Sequence, residues 1–304
     1  MKINFLTVTF LSIFTLTSCT TIDSIKPSSD IIKTSPDTVR STNSGPVIGI
    51  EGEEGIHKWL GIPYADPPIE KLRWKAPRNV SSWDKVYEAT SFASPCVQIQ
   101  SSLTGAGLAK PGDIVGNEDC LYLNIYAPAY KINSVPNENN KLPVMVWIHG
   151  GGNTSGMTSE YNPQKLVASQ NVIVVTISYR LGIFGWFSHP ELRNRSNGLD
   201  ASANFGLLDQ IKALEWLRNN IENFGGDKNN ITIFGESAGG QNVIALYVSP
   251  LAKGLFHRAI SQSGGITLTS IADAEDIDRV AFPLKGNYKY RHKTTKEFIN
   301  NLLN

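Results

Sequence analysis

Gly235-Glu236-Ser237-Ala238-Gly239 sets a serine between two glycines at the spacing Gly-x-Ser-x-Gly. The β-branched run Ile231-Thr232-Ile233-Phe234 precedes it, and the apolar stretch Asn242–Val248 follows. A serine hydroxyl that is to attack an acyl carbon must project clear of the backbone, which a very tight strand-to-helix turn achieves. Side chains two residues before and after such a serine would collide, and glycine at both positions removes them. Ser237 is therefore the candidate nucleophile. A second glycine run, His149-Gly150-Gly151-Gly152, comes directly after the apolar run Pro143–Ile148. Attack on an acyl carbonyl builds negative charge on its oxygen, and preorganised N–H donors aimed there are worth about 2.7–4 kcal/mol each. Glycines let the main chain present such donors without a side chain in the way. His149, at a strand end, is expected to shape this loop through a hydrogen bond and not to act as the base.

The flanking patterns indicate what must hold these residues. Pro143–Ile148 and Val172–Ile177 are continuous apolar runs, as expected for strands buried on both faces of a parallel sheet. Val47–Ile50 and Ile56–Pro63 alternate like short antiparallel strands, and Leu121–Tyr126 reads as another strand. The polar stretch Asn133–Lys141 is expected to be a surface loop. Leu207–Leu217 has apolar residues at 207, 208, 211, 214 and 217, which predicts a helix with one buried stripe. Gly225-Gly226-Asp227 is a helix-to-strand turn. Strands alternating with helices after an antiparallel start predict an α/β fold with a central sheet covered on both faces.

Further motifs stand in order along the chain: Gly61-Ile62-Pro63-Tyr64-Ala65, Glu118-Asp119-Cys120-Leu121-Tyr122-Leu123-Asn124, Ser178-Tyr179-Arg180-Leu181-Gly182, Asn204–Gln210 and Phe256-His257-Arg258-Ala259-Ile260. With the two glycine motifs, they make the chain resemble the type-B carboxylesterase family, which includes the cholinesterases, from about Gly45 to at least Gly265. The resemblance implies an α/β-hydrolase fold with a central, mostly parallel sheet and antiparallel N-terminal strands. It implies hydrolysis of a small-molecule ester through an acyl-enzyme on Ser237. By the same correspondence the N–H groups of Gly151, Gly152 and Ala238 form an oxyanion hole, and Glu236 is the acidic residue beside the nucleophile. Cys96 and Cys120 match the family's first disulfide, worth about 3.5 kcal/mol by loop entropy. Asn153 stands where relatives usually place an aromatic residue, so the shape of an acyl pocket does not carry over. No cluster has metal-ligand spacing, so neither metal nor organic cofactor is expected.

In this fold the acid and histidine of a catalytic triad follow the serine in the chain. His257 belongs to a structural segment of the resemblance, and His292 lies in the basic stretch Lys289–Lys293; neither matches the family's catalytic position. Asp273, Glu275, Asp276 and Asp278 could in principle supply an acid, but as a set with His292 they are disfavoured. Lys293–Leu303 reads as an amphipathic helix with nothing after it to cover its apolar side. Residues 45–304 therefore read as the N-terminal part of the family's domain. Two functions remain: a carboxylesterase whose base comes from a complementing C-terminal chain, or a catalytically dead lipoprotein that keeps the esterase surface for binding.

The N-terminus and composition set the context. Residues 1–19 carry a lysine, a short apolar stretch and Leu16-Thr17-Ser18-Cys19, which resembles the lipobox of bacterial lipoproteins and makes Cys19 a lipidation site. Residues 20–44, rich in Ser, Thr, Asp and Pro, are expected to be a disordered tether. The expectation is export, as an outer-membrane lipoprotein facing the periplasm or as a secreted protein, with membrane contact only through the lipid. A net charge of +1 gives no electrostatic case for nucleic acid or an anionic surface.

Overall fold

The apolar runs pair into a seven-stranded sheet in the computed structural model, which describes residues 34–102, 104, 108–265 and 269–275. The leader with Cys19, Asp276, Asp278, His292 and the expected helix 293–303 lie outside the described residues. Among the described residues the first strands are β1 (Arg40–Thr42), β2 (Gly45–Ile48), β3 (Ile50–Glu51) and β4 (Ile56–Pro63). Three two-residue strands follow, β5 (Tyr87–Glu88), β6 (Gln98–Ile99) and β7 (Ile114–Val115). Then come β8 (Tyr122–Pro128), β9 (Leu142–Ile148), β10 (Ile173–Ile177), β11 (Gly226–Glu236) and β12 (Arg258–Gln262). The large sheet has the order β12-β11-β9-β10-β8-β4-β3. Its early strands pair antiparallel, β3 with β4, β4 with β8 and β8 with β10. Its later strands pair parallel, β10 with β9, β9 with β11 and β11 with β12. The helices among the described residues are α1 (Gln164–Gln170), α2 (Gly182–Trp186), α3 (Pro190–Asn194), α4 (Phe205–Asn220), α5 (Ala238–Val248) and α6 (Ile271–Glu275).

β10 is buried along its whole length. Ile173, Val175 and Ile177 join the main core with Leu214, Leu217 and Phe224, while Val174 packs in a second cluster with Ile56, Tyr126, Val167 and Phe234. Side chains alternate across a strand, so the two clusters lie on opposite faces of the sheet. β9 departs from the expectation of burial on both faces. Val144, Val146 and Ile148 are fully buried, but Met145 and Trp147 are only half-buried and Pro143 is exposed. The second cluster reaches this strand mainly through the Trp147 ring, which stacks on Tyr161 and tilts against Phe234.

α4 buries more than one stripe. Leu208, Ile211, Ala213, Leu214, Trp216 and Leu217 are buried together with the polar Asp209 and Gln210, whereas Leu207 is half-buried. The stretch expected as a surface loop, Asn133–Lys141, holds the short 3-10 turns Ile132–Ser134 and Glu138–Asn140.

Residues 34–44, which composition assigns to the tether, hold regular structure. Thr34 bridges Ile50, Pro36–Thr38 form a 3-10 turn, and β1 pairs with β2. Arg40 is buried with its guanidinium over the Trp59 ring, and it donates to the carbonyls of Asp37 and Val39. The Trp59 indole N–H donates to Thr38 O, and Asn43 N–H to Asn220 Oδ1. These polar residues are ordered by distant partners, which composition does not register.

Candidate active site

β11 ends in the turn that carries the candidate nucleophile. Ser237 sits at φ +54°, ψ −121°, between the last residue of β11 and the first of α5. A non-glycine residue held in this region stores strain, and such strain concentrates at functional sites. Both flanking glycines are sterically required. A Cβ on Gly235 would stand 2.6 Å from Gly239 C and 2.6 Å from Ile148 O, and one on Gly239 would run into Ile148 O and His149 O. The elbow is therefore pressed against the end of β9. Ser237 N–H donates to Gln262 O (2.9 Å) and Gln241 N–H to Ser237 O (2.9 Å), so β12 and the first turn of α5 hold it.

The His149–Gly152 loop lies against this turn. A Cβ on Gly150 would be 2.8 Å from Glu236 O and 3.3 Å from Ser237 Cβ. Gly151 and Gly152 take φ +93° and +65°, which only glycine adopts without strain. Gly151 O accepts from Thr154 N–H and Ser155 N–H at 3.1 and 3.0 Å, closing the loop on itself. The N–H groups of Gly151, Gly152 and Ala238 have no acceptor among the described residues. Ser237 is half-buried and Glu236 exposed.

The described histidines have other duties. Burial holds the His149 imidazole down to about 4, so it is neutral at pH 7. Its Nδ1 is 2.9 Å from Gly150 O, its ring stacks on Tyr179 at 4.4 Å, and the Tyr179 hydroxyl donates to His149 O at 2.7 Å. His257 Nδ1 accepts from Ile231 N–H, and His189 Nδ1 caps α3 by accepting from Glu191 N–H. His57 is buried in β4, near the far edge of the sheet. The acid candidates fare likewise. Glu275 pairs with the Arg193 guanidinium at 2.8 Å, which holds its carboxyl below the usual range, and Asp273 Oδ2 accepts from Ser270 Oγ.

The remaining motifs prove to be braces. The Arg180 backbone N–H, Nε and Nη2 all donate to the carboxylate of Asp209 at 3.0, 2.8 and 2.7 Å, with both side chains almost fully buried. This ties the turn after β10 to α4. Tyr64 Oη donates to Ser178 O, and Asn124 bridges Gly61 N–H to Thr176 Oγ1. Cys96 and Cys120 are joined in a disulfide with their Cα atoms 5.0 Å apart.

The carboxylesterase family profile matches residues 36–303. The chain belongs to the carboxylesterase family. It is 48% identical over 226 residues to the para-nitrobenzyl esterase of Bacillus subtilis (strain 168), covering 74% of this chain and 43% of the relative. It is 44% identical over 243 residues to liver carboxylesterase 1 of Oryctolagus cuniculus, covering 77% of this chain and 40% of that protein. Among solved structures, a thermophilic PNB esterase superposes with a TM-score of 0.69 at 42% identity, covering 79% of this chain and 47% of that one. The α/β-hydrolase fold follows from this superposition and from the mixed sheet with its helices. The carboxylesterase-family chain thus spans less than half the length of the relatives it matches.

One feature near the elbow had no signal in the pattern of residues. The Asn153 and Asn242 amides donate to each other, Asn242 Nδ2 to Asn153 Oδ1 at 2.8 Å and Asn153 Nδ2 to Asn242 Oδ1 at 3.3 Å. The two residues are 89 positions apart in sequence, so no local spacing links them.

Proposed function

We propose that this chain carries the nucleophile and oxyanion hole of a serine carboxylesterase. Ser237 Oγ attacks the carbonyl carbon of a small carboxylic ester and gives up its proton to a base. The tetrahedral intermediate places its oxyanion against the N–H groups of Gly151, Gly152 and Ala238. Collapse expels the alcohol, which takes a proton as it leaves, and water then hydrolyses the acyl-Ser237 ester to free the acid. Glu236, beside the nucleophile, favours a cationic base as the proton moves. The observation that carries this reading is the strained Ser237, clamped between two sterically obligatory glycines beside three N–H groups that have no acceptor among the described residues.

The base and its acid are assigned to no described residue; in this proposal a complementing C-terminal segment supplies them. A site with its nucleophile and oxyanion hole but no base keeps only about 10³–10⁴-fold catalysis over water. The other commitments of the described histidines favour a second reading, a non-catalytic member that uses this surface for binding. Hydrolysis of a short-chain nitrophenyl ester by the full chain, compared with Ser237→Ala, separates the two. Turnover lost in the variant supports the esterase; equal rates overturn it for this chain. The proposal includes export with a lipid on Cys19, checked by metabolic labelling with a fatty acid, which Cys19→Ala should abolish.

A further inference from the structure

We propose that the Asn153–Asn242 amide pair is a latch that positions the oxyanion loop against the nucleophile helix. The inference rests on the acyl-transfer reading above and adds two positioning residues to it. Asn153 is the residue after Gly152, and Asn242 lies on the second turn of α5, whose first residue is Ala238. One amide is therefore fixed to the loop that carries two N–H groups unpaired among the described residues, and the other to the helix that carries the third. Among the described residues, the reciprocal bonds of 2.8 and 3.3 Å are the side-chain hydrogen bonds that join residues 149–156 to residues 235–248.

The surroundings suit a latch. Asn242 is 3% exposed, so its amide is withdrawn from water and its bonds to Asn153 replace those it would make in solvent. Asn153 takes φ +57°, a left-handed conformation that asparagine tolerates better than most residues. Its carbonyl accepts from Gly182 N–H at 2.7 Å, and its Oδ1 is also 3.4 Å from the Tyr179 hydroxyl that donates to His149 O. Backbone and side chain of one residue thus tie the glycine loop to three elements: the first residue of α2, the Tyr179 segment and α5. Rotation of the Gly151–Gly152 peptides away from Ala238 would break the amide pair. An oxyanion hole depends on donors held at about 2.7–3.1 Å from one developing charge. A displacement near 1 Å costs about 100-fold in rate.

The test uses the full chain with Asn153→Gly, which allows the positive φ and removes the side chain with its amide, with Asn242→Ala, and with both together. The expected result is a fall in kcat of about 10- to 100-fold for nitrophenyl acetate with KM within about twofold. The double variant should be no worse than either single, because each alone already opens the latch. Urea midpoints measured in parallel show whether the loss merely follows stability. Unchanged kcat in either single variant, additive losses, or a kcat loss that vanishes when stability is restored by a lower temperature would overturn the latch. Should the unmodified chain hydrolyse no faster than Ser237→Ala, the underlying esterase reading has failed for the isolated chain, and a second readout decides the latch separately. Hydrogen exchange in the peptide covering residues 149–157 reports the Thr154 and Ser155 amides that donate to Gly151 O. Exchange at least fivefold faster in both single variants supports the latch, and unchanged exchange overturns it.

Discussion

At the scale of the residue, contact geometry decides what Gly239 can become. A methyl group there would meet the carbonyl oxygens of Ile148 and His149, both backbone atoms of β9 and the loop it leads into. Neither can move without shifting the sheet, so Gly239→Ala should cost about 1–3 kcal/mol as overpacking, read as a lower urea midpoint. The His149 imidazole supplies a pH test. Its pKa in the fold is about 4 because burial disfavours the cation, against about 6.5 in an unfolded chain. The unfolded state therefore binds the extra proton first. Stability should be full above pH 6.5, fall as pH drops through the interval from 6.5 to about 4, and lose roughly 3 kcal/mol across it. Burial also lowers His57 and His189, and they push in the same direction. Urea unfolding between pH 7 and 4.5, repeated with His149→Gln, should show a shallower fall in the variant; an unchanged slope would remove His149 from the account.

At the scale of the element, the turn after β10 and helix α4 are coupled by a buried ion pair. Arg180 and Asp209 are 3% and 0% exposed at their side chains, and the Arg180 guanidinium also lies over the Phe205 ring. Removing one partner strands a charge in the core, so Asp209→Ala should destabilise by about 3–5 kcal/mol. Arg180→Met with Asp209→Leu, which removes both charges, should be less harmful than the single change, as measured by chemical denaturation. The elements themselves were largely legible in the sequence. β8, β9 and β10 fall within two residues of their hydrophobic patterns, because pattern and burial share one cause. β11, by contrast, begins at Gly226, five residues before the run that marks it and inside the expected turn, and α4 runs three residues past Leu217. The elbow was legible for a local reason: its steric demand falls on residues two apart. What stayed hidden depends on partners far along the chain. Arg40 and Thr38 are ordered by Trp59, Asn43 by Asn220, and Asn153 by Asn242. Polar residues with distant partners look the same in sequence as polar residues in a tether. The thinner cover over one face of β9 was hidden as well, since an apolar run states that a strand wants burial but not what covers it.

At the scale of the whole molecule, the parallel side of the sheet ends on a strand whose outer edge pairs with no described strand. All five residues of β12 are exposed, Ile260 at 46%, and β12 is the terminal strand of the sheet order. The end of α5 adds Tyr247 at 72% and Val248 at 66%, and Leu251 follows at 48%. An edge strand offers a row of unpaired N–H and C=O groups to any second strand, and natural proteins blunt such edges with charge, especially lysine. β12 carries one charged residue, Arg258, at its first position, and its middle is Ala259-Ile260-Ser261. The exposed apolar side chains beside it add a hydrophobic incentive to pair. The isolated chain should therefore associate as its concentration rises. Ile260→Lys, which places a charge at the centre of the edge, should shift the onset of association to at least severalfold higher concentration while leaving the far-UV spectrum unchanged. Val248→Lys distinguishes the two contributions, because it reduces the apolar patch on α5 and leaves the strand edge as it is. Light scattering or sedimentation across a concentration series reads the outcome. Suppression by Ile260→Lys alone identifies edge pairing, and suppression by Val248→Lys alone identifies the apolar patch. A chain that stays monomeric throughout, with or without these changes, overturns the prediction.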